Sequence, residues 1–234
     1  AYEISHEGKK VTFIDTPGHE AFSKLRARGA QIADIAVIVI AADEGVKPQT
    51  REALRIAQEH NLPFVVALNK TDKREANPER VRLELAQENV MLEQYGGDVP
   101  WVEASAKTGV KMDELLEVIF LLAELKHLTA HPEKPAEGVV IEARRDARRG
   151  ISATLLVRDG MIGKDSIVVI GRSVESARIL EDFRGDGIDS ASASQPVRMS
   201  GMKEMPTAGD LFRVFPARVD AERYLAQPPA EENN

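Results

Sequence analysis

A chain of 234 residues has room for one large or two modest domains, and 43% apolar residues suffice for a core without disulfide or metal staples. A formal charge of −7 excludes broad nucleic-acid binding by overall charge and leaves open a local basic contact surface. With no cysteine there is no disulfide framework, thiol nucleophile or thiolate metal site, and no apolar run approaches a membrane span, so no membrane partner is expected and the expected compartment is cytoplasmic.

Tyr2 to His6 and Lys10 to Asp15 are strand candidates separated by Glu7-Gly8, a hairpin signal. The chain opens at Ala1 directly in strand-like sequence, and an upstream segment is expected. Ala21 to Gly29 reads as a short basic helix carrying Lys24, Arg26 and Arg28. Ile35 to Ala41 is continuously apolar and β-branched, which fits a strand covered on both faces of a parallel sheet. Pro48 suits a helix start, and Ala53, Ile56 and Ala57 give that helix an apolar face to about His60. Phe64 to Leu68 is the next buried strand. A helix is expected from about Pro78 to Tyr95, stopped by Gly96-Gly97. Trp101 to Ser105 is a further strand, and Leu115, Ile119, Leu122 and Ala123 form a helical stripe through about Leu128. Strand and helix alternate, with polar motifs at the carboxyl ends of strands. That is the pattern of a doubly wound α/β sheet.

The pattern changes after Leu128. Thr129 to Glu137 carries two prolines and no apolar period, and reads as a linker. Beyond it the period is two: Ala153, Leu155 and Val157 share one strand face, Thr154 and Arg158 the other. Strand candidates recur at Ile167–Ile170, Ala177–Leu180, Pro196–Ser200 and Leu211–Phe215, with Asp159-Gly160 as a turn. They point to a small antiparallel β-barrel. Residues 219–234 read as a helix start followed by a disordered Pro-rich acidic tail. The expected domains are therefore 1–128, a linker 129–137, a barrel 138–218 and the tail 219–234.

Three strand ends carry chemistry. Val11 to Glu20 is a strand, an acid, a Pro-Gly break and a helix start, which delivers Asp15 to the sheet edge where open α/β folds place ligands. Asp15 can hold Mg²⁺ through water, because this hard cation wants oxygen ligands and keeps several waters. Gly18 lacks a side chain, so its N–H can approach a phosphate oxygen closely. The same ten residues also fit a strand and an Asp-initiated turn with no ligand. In Asn69-Lys70-Thr71-Asp72, the carboxylate can accept two parallel hydrogen bonds, which guanine offers and adenine does not. Asn69 can brace a neighbouring phosphate loop or the purine, and the Lys70 stem can lie over the base plane. At Ser105-Ala106-Lys107 a backbone N–H can meet the guanine carbonyl oxygen. Arg144, Arg145, Arg148 and Arg149 fit either a contact to RNA phosphates or a solvated hairpin tip.

Taken together, Asp-Thr-Pro-Gly at 15–18, Asn-Lys-x-Asp at 69–72 and Ser-Ala-Lys at 105–107 resemble the G3, G4 and G5 motifs of a GTPase. His19, directly after the first motif, points to the translational GTPases. Residues 15–22, with Arg26-Ala27-Arg28-Gly29-Ala30 after them, resemble bacterial-type translation initiation factor two specifically, and Gly138 to Arg144 resembles the second domain of that family. The resemblance covers the chain through about Val219. It implies a P-loop-GTPase-type sheet followed by a β-barrel, with GTP/GDP and Mg²⁺ as ligands. Catalysis then falls to His19, nucleotide binding to Gly18, Asn69, Lys70, Asp72, Ser105, Ala106 and Lys107, and metal binding to Asp15. The implied partners are both ribosomal subunits with their RNA, and initiator tRNA through a C-terminal domain outside this chain.

The family's phosphate loop ending in Gly-Lys-Thr or Gly-Lys-Ser does not occur in these residues, nor does its switch I segment. The sheet is therefore expected to be incomplete, the chain to be a piece of a larger factor, and this piece alone to be inactive. A smaller departure is Gly163-Lys164-Asp165, where Lys-Gly-Asp is more usual. Two other readings stand beside this one. One is another translational GTPase, selenocysteine-specific or of elongation type. The other is a non-catalytic ribosome-docking module.

Overall fold

A computed structural model describes residues 1–16, 23–146 and 150–227. By internal contacts the chain divides into two units. One holds Ile14–Leu128, the other Ala1–Phe13 together with the described residues from Thr129.

The chain opens with an antiparallel hairpin, β1 (Tyr2–His6) and β2 (Lys9–Phe13), in the register Tyr2 opposite Phe13. Helix α1 (Ser23–Ile32) follows, then β3 (Ala36–Ala41), α2 (Pro48–Glu59), β4 (Phe64–Asn69), α3 (Pro78–Gln87), β5 (Trp101–Glu103) and α4 (Met112–Leu125). The three central strands form a parallel sheet in the order β3-β4-β5, with Ala36 beside Phe64 and Val66 beside Trp101. The period of two decides what each face meets. Ile38, Ile40, Val66 and Leu68 cluster with Leu54 of α2 and with Val81 and Leu85 of α3. Val65 and Ala67 are also buried but lie outside that cluster, and α4 packs on β4 and β5 with Leu115 and Ile119 buried. Helices therefore cover both faces of β4, whereas Val39 of β3, on the face opposite Ile38 and Ile40, is 59% exposed, so among the described residues the expected two-sided cover of that strand is not met.

One further expectation changes in this unit. The helix from Pro78 ends at Gln87, and Tyr95 belongs to a separate 3₁₀ turn, Glu93–Tyr95. Asn89 adopts a left-handed φ of 60°, while the Asn89 N–H donates to Ala86 O and the Val90 N–H to Leu85 O. This is a Schellman stop, closed by contact of the buried Val90 with Leu85. By internal contacts the hairpin groups with the second unit. Its strands pair with each other and with no strand of the parallel sheet, while Thr12 Oγ1 donates to the Ser194 carbonyl.

The second unit continues with β6 (Glu137–Asp146), β7 (Gly150–Asp159), β8 (Met161–Gly163), β9 (Ile167–Ile170), β10 (Ser173–Ser176), β11 (Ile179–Glu181), β12 (Ser190–Ser192), β13 (Pro196–Met202), β14 (Leu211–Phe215) and α5 (Arg218–Ala226). Seven strands form one antiparallel sheet in the order β10-β9-β14-β6-β7-β13-β11, and β8 pairs with β12. Bulges in β6 and β13 bend the long strands. Ala153, Leu155 and Val157 point into one core with Val140, Val168, Met199 and Phe212. The segment read as a linker is built into this unit from His131. The His131 N–H donates to Asp159 Oδ1 at 2.6 Å, and Ala136 N–H to Met161 O at 3.1 Å. No described helix is long and apolar enough to cross a membrane. The expected disordered tail beyond Gln227 lies outside the described residues.

Candidate functional site

The carboxyl ends of β3, β4 and β5 converge through their loops. Asn69 closes β4, and its backbone carbonyl receives the Ala42 N–H at 2.8 Å, tying the ends of β3 and β4 together. Its side-chain Oδ1 accepts two backbone N–H groups, from Lys70 at 2.8 Å and from Ala106 at 3.0 Å. Lys70 sits at a left-handed φ of 63°, a conformation that costs a non-glycine residue about 1 kcal/mol and that the Asn69 bond helps to hold. Asn69 Oδ1 thus braces the 105–107 loop.

A second tie runs the other way. Ser105 is buried, its Oγ donates to Asp72 Oδ1 at 2.6 Å, and the same oxygen accepts the Thr108 N–H at 3.2 Å. Thr71 Oγ1 adds a bond to the Ala104 carbonyl at 2.9 Å. The Ser105 hydrogen bond, partly opposed by desolvation, holds the Asp72 carboxyl below the ordinary aspartate value. Asp72 is therefore an anion, oriented by a buried donor. Ser105 uses one of its roughly four lone-pair sites, which leaves acceptor capacity for a paired donor such as a guanine edge.

The Lys70 ammonium is held by the loop after β3. Its Nζ contacts Glu44 Oε1 at 2.7 Å and stands 3.8 Å from Asp43 Oδ1. The Glu44 hydrogen bond, with the two carboxylate charges, raises the ammonium above the usual lysine value. Asp43 also binds Lys73, and that hydrogen bond, with both lysine charges, lowers its carboxyl. Sequence reading passed over Asp43 and Glu44, although they follow an apolar strand at its carboxyl end as Asn69 does.

Of the other expected site residues, Asp15 is exposed in the segment after β2. A Cβ at Gly29 would lie 3.0 Å from Thr16 Cγ2, so α1 runs close against that segment. Gly18 and His19 lie outside the described residues. Lys107 is exposed on the β5–α4 loop. Among the described residues no three His, Cys, Asp or Glu converge as a metal cage. Arg144 and Arg145 are exposed near the end of β6, Arg144 lies 4.0 Å from Glu142, and Arg148 and Arg149 lie outside the described residues.

Strand-end loops of this kind, two of them locked to each other on a parallel sheet, define a nucleotide-binding α/β domain. Residues 1–124 match the elongation factor Tu GTP binding domain, and residues 135–215 match elongation factor G domain 2. The chain belongs to the family of the elongation factor Tu GTP binding domain. Over 99% of its length it is 46% identical to translation initiation factor IF-2 of Carboxydothermus hydrogenoformans and 48% identical to that of Symbiobacterium thermophilum. It spans 28% and 22% of those two proteins, well under half of each. The crystal structure of GDP-bound aIF5B from Aeropyrum pernix is similar with a TM-score of 0.74 and 30% identity, over 91% of this chain and 44% of that one. A bacterial selenocysteine-specific elongation factor shares the fold at a TM-score of 0.71 and 24% identity, over 90% of this chain and 37% of that one. The resemblance to bacterial-type initiation factor two, first carried by a few residues after Asp15, thus extends along nearly the whole chain.

Proposed function

We propose that this segment is the guanine-binding part and second domain of a translation initiation GTPase. In the whole protein, GTP binding and hydrolysis accompany the placing of initiator tRNA and the joining of ribosomal subunits in the cytoplasm. The observation that carries the reading is the paired lock at the base end, Ser105 on Asp72 and Asn69 on Ala106. It fixes an anionic acceptor and a backbone loop side by side before any ligand arrives. Asp72 would take the guanine N–H pair and the Lys107 region the carbonyl side, while Asp15 would hold Mg²⁺ through water. Asp15, Gly18 and His19 would serve the phosphate end, with His19 orienting the attacking water. The seven-stranded sheet of the second unit would close as a barrel against the ribosome, with Arg144 and Arg145 placed to meet RNA phosphates.

Base selectivity tests this reading. In the full-length factor, unlabelled GDP should displace bound GTP and ATP should not. Equal displacement by ATP would overturn it. Residues 1–234 alone, lacking the Gly-Lys-Thr loop, should show negligible hydrolysis, because most phosphate affinity in such sites comes from that loop.

A further inference from the structure

One lysine in the site faces two carboxylates of unequal character. Glu44 is half exposed and holds Lys70 at 2.7 Å. The Asp43 side chain is 12% exposed, and its Oδ1 is buried with no hydrogen-bond partner among the described residues. That oxygen stands 3.8 Å from Lys70 Nζ, too far to bond. A buried acceptor without a donor is costly, whereas an exposed ion pair is weak and easily exchanged. A shift of the ammonium by about 1 Å would bring it to the ~2.8 Å of a charge-assisted hydrogen bond.

The loop presenting the two acids is rigid. Glu44 and Gly45 N–H groups both donate to Ala41 O, at 3.0 and 2.9 Å, and Val46 N–H donates to Glu84 Oε2 at 2.6 Å. Gly45 takes a left-handed φ of 82°, and a Cβ there would stand 2.4 Å from Glu84 Oε2. Arg80 bonds the Asp43 carbonyl at 3.2 Å, and Lys73 holds the other carboxylate oxygen of Asp43. With the backbone at Lys70 fixed by Asn69, what remains free to move is the Lys70 side chain.

We propose that Asp43 is the positioning residue that seats Lys70 along the bound base, and that Glu44 is a competing hold that draws the lysine aside when the site is empty. A ring laid against the Lys70 stem excludes water from it. The ammonium then exchanges the solvated Glu44 for the buried Asp43 oxygen. The proposal rests on the reading of 69–72 and 105–107 as a guanine site.

The test is a double-mutant cycle in the full-length factor, with ribose-labelled fluorescent GDP as the probe. Glu44→Gln should tighten binding by about 2–5-fold, the scale of releasing an exposed ion pair. Asp43→Asn should weaken it by about 10-fold, the scale of losing a hydrogen bond to a charged group. Both effects should vanish when Lys70 is already Ala. If Asp43 acts merely through Lys73 and Arg80, its effect will persist in the Lys70→Ala background, and the proposal is overturned. No change from either single variant, or a change of the same sign from both, also overturns it. Asp72→Asn, assayed with xanthosine diphosphate, separates the two levels. An unaltered base preference there removes the guanine site and this proposal with it. An altered preference with no coupling to Lys70 removes the proposal alone.

Discussion

Ser105 Oγ meets Asp72 Oδ1 at 2.6 Å, joining two strand-end loops that lie 33 positions apart in sequence. The hydroxyl donates to the ionised carboxylate, so the bond favours the anion and depresses the Asp72 pKa. A depressed group contributes its interaction above its ordinary value and loses it as pH falls through the depressed value. Ser105→Ala should therefore leave guanine-nucleotide affinity little changed in pH dependence near neutrality, and make its acid loss begin at higher pH. Affinity titrated from neutral pH into the aspartate range checks this. Superimposable acid limbs for the two proteins would count against it.

Asp72→Asn exchanges a two-acceptor group for one acceptor and one donor. Guanine then meets a donor facing a donor, while xanthine offers a carbonyl in place of the amine. The preference for GTP over xanthosine triphosphate should fall by at least about 10-fold in the full-length factor, the scale of a lost charged hydrogen bond. Competition binding with the two triphosphates measures it, and an unchanged ratio would show that Asp72 does not read the base.

Helix α3 yields a stability prediction independent of ligand. Asn89 holds the left-handed position of its stop, with φ 60°. Asn89→Gly should fold as well as the parent, because glycine adopts that conformation without a Cβ penalty. Asn89→Val, β-branched, should lower unfolding stability by about 1–2 kcal/mol. Chemical denaturation of the two variants decides it. Equal midpoints would mean that the stop is held by Val90 and Leu85 alone.

The parallel sheet was legible because β3 and β4 are apolar, β-branched-rich runs with polar residues at their carboxyl ends, a pattern local to about ten residues. Asn69, Asp72, Ser105 and Ala106 could be picked out for the same reason, and the fold brings them together. The α3 boundary was not legible, because Val90 and Leu92 continue an apolar pattern and the stop lies in one backbone angle at Asn89. The intrachain partners of Asn69 and Lys70 were not legible for a different reason. Asn69 is satisfied by Ala106, 37 positions away, and Lys70 by Glu44, 26 positions away. Such pairings follow from tertiary placement and leave no periodic trace. The hairpin's grouping with the second unit depends on contacts such as Thr12 with Ser194, which sequence spacing cannot carry.

His19 lies outside the described residues, so its role is argued from chemistry and position. Phosphoryl transfer to water passes through a largely dissociative transition state and needs an oriented nucleophile more than a strong base. His19 directly follows Gly18, the proposed contact to the terminal phosphate, and on that proposal its imidazole would reach the attacking water. A neutral ring would position that water. An imidazolium, favoured beside bound phosphates, would donate to it or offset developing charge. In either form the group acts in the transition state and adds little to ground-state affinity. His19→Ala in the full-length factor should therefore keep GTP affinity within a few-fold and lower ribosome-stimulated hydrolysis by about 10²-fold, the scale of a lost positioned catalytic group. Asp15→Asn should do the reverse, weakening Mg²⁺-dependent binding first, because a hard cation loses an anionic oxygen. Single-turnover hydrolysis on ribosomes, run beside equilibrium GTP binding at several Mg²⁺ concentrations, separates the two roles. Near-normal turnover by the His19→Ala protein would remove His19 from the chemistry, and a Mg²⁺ dependence of Asp15→Asn identical to the parent's would remove Asp15 from the metal site.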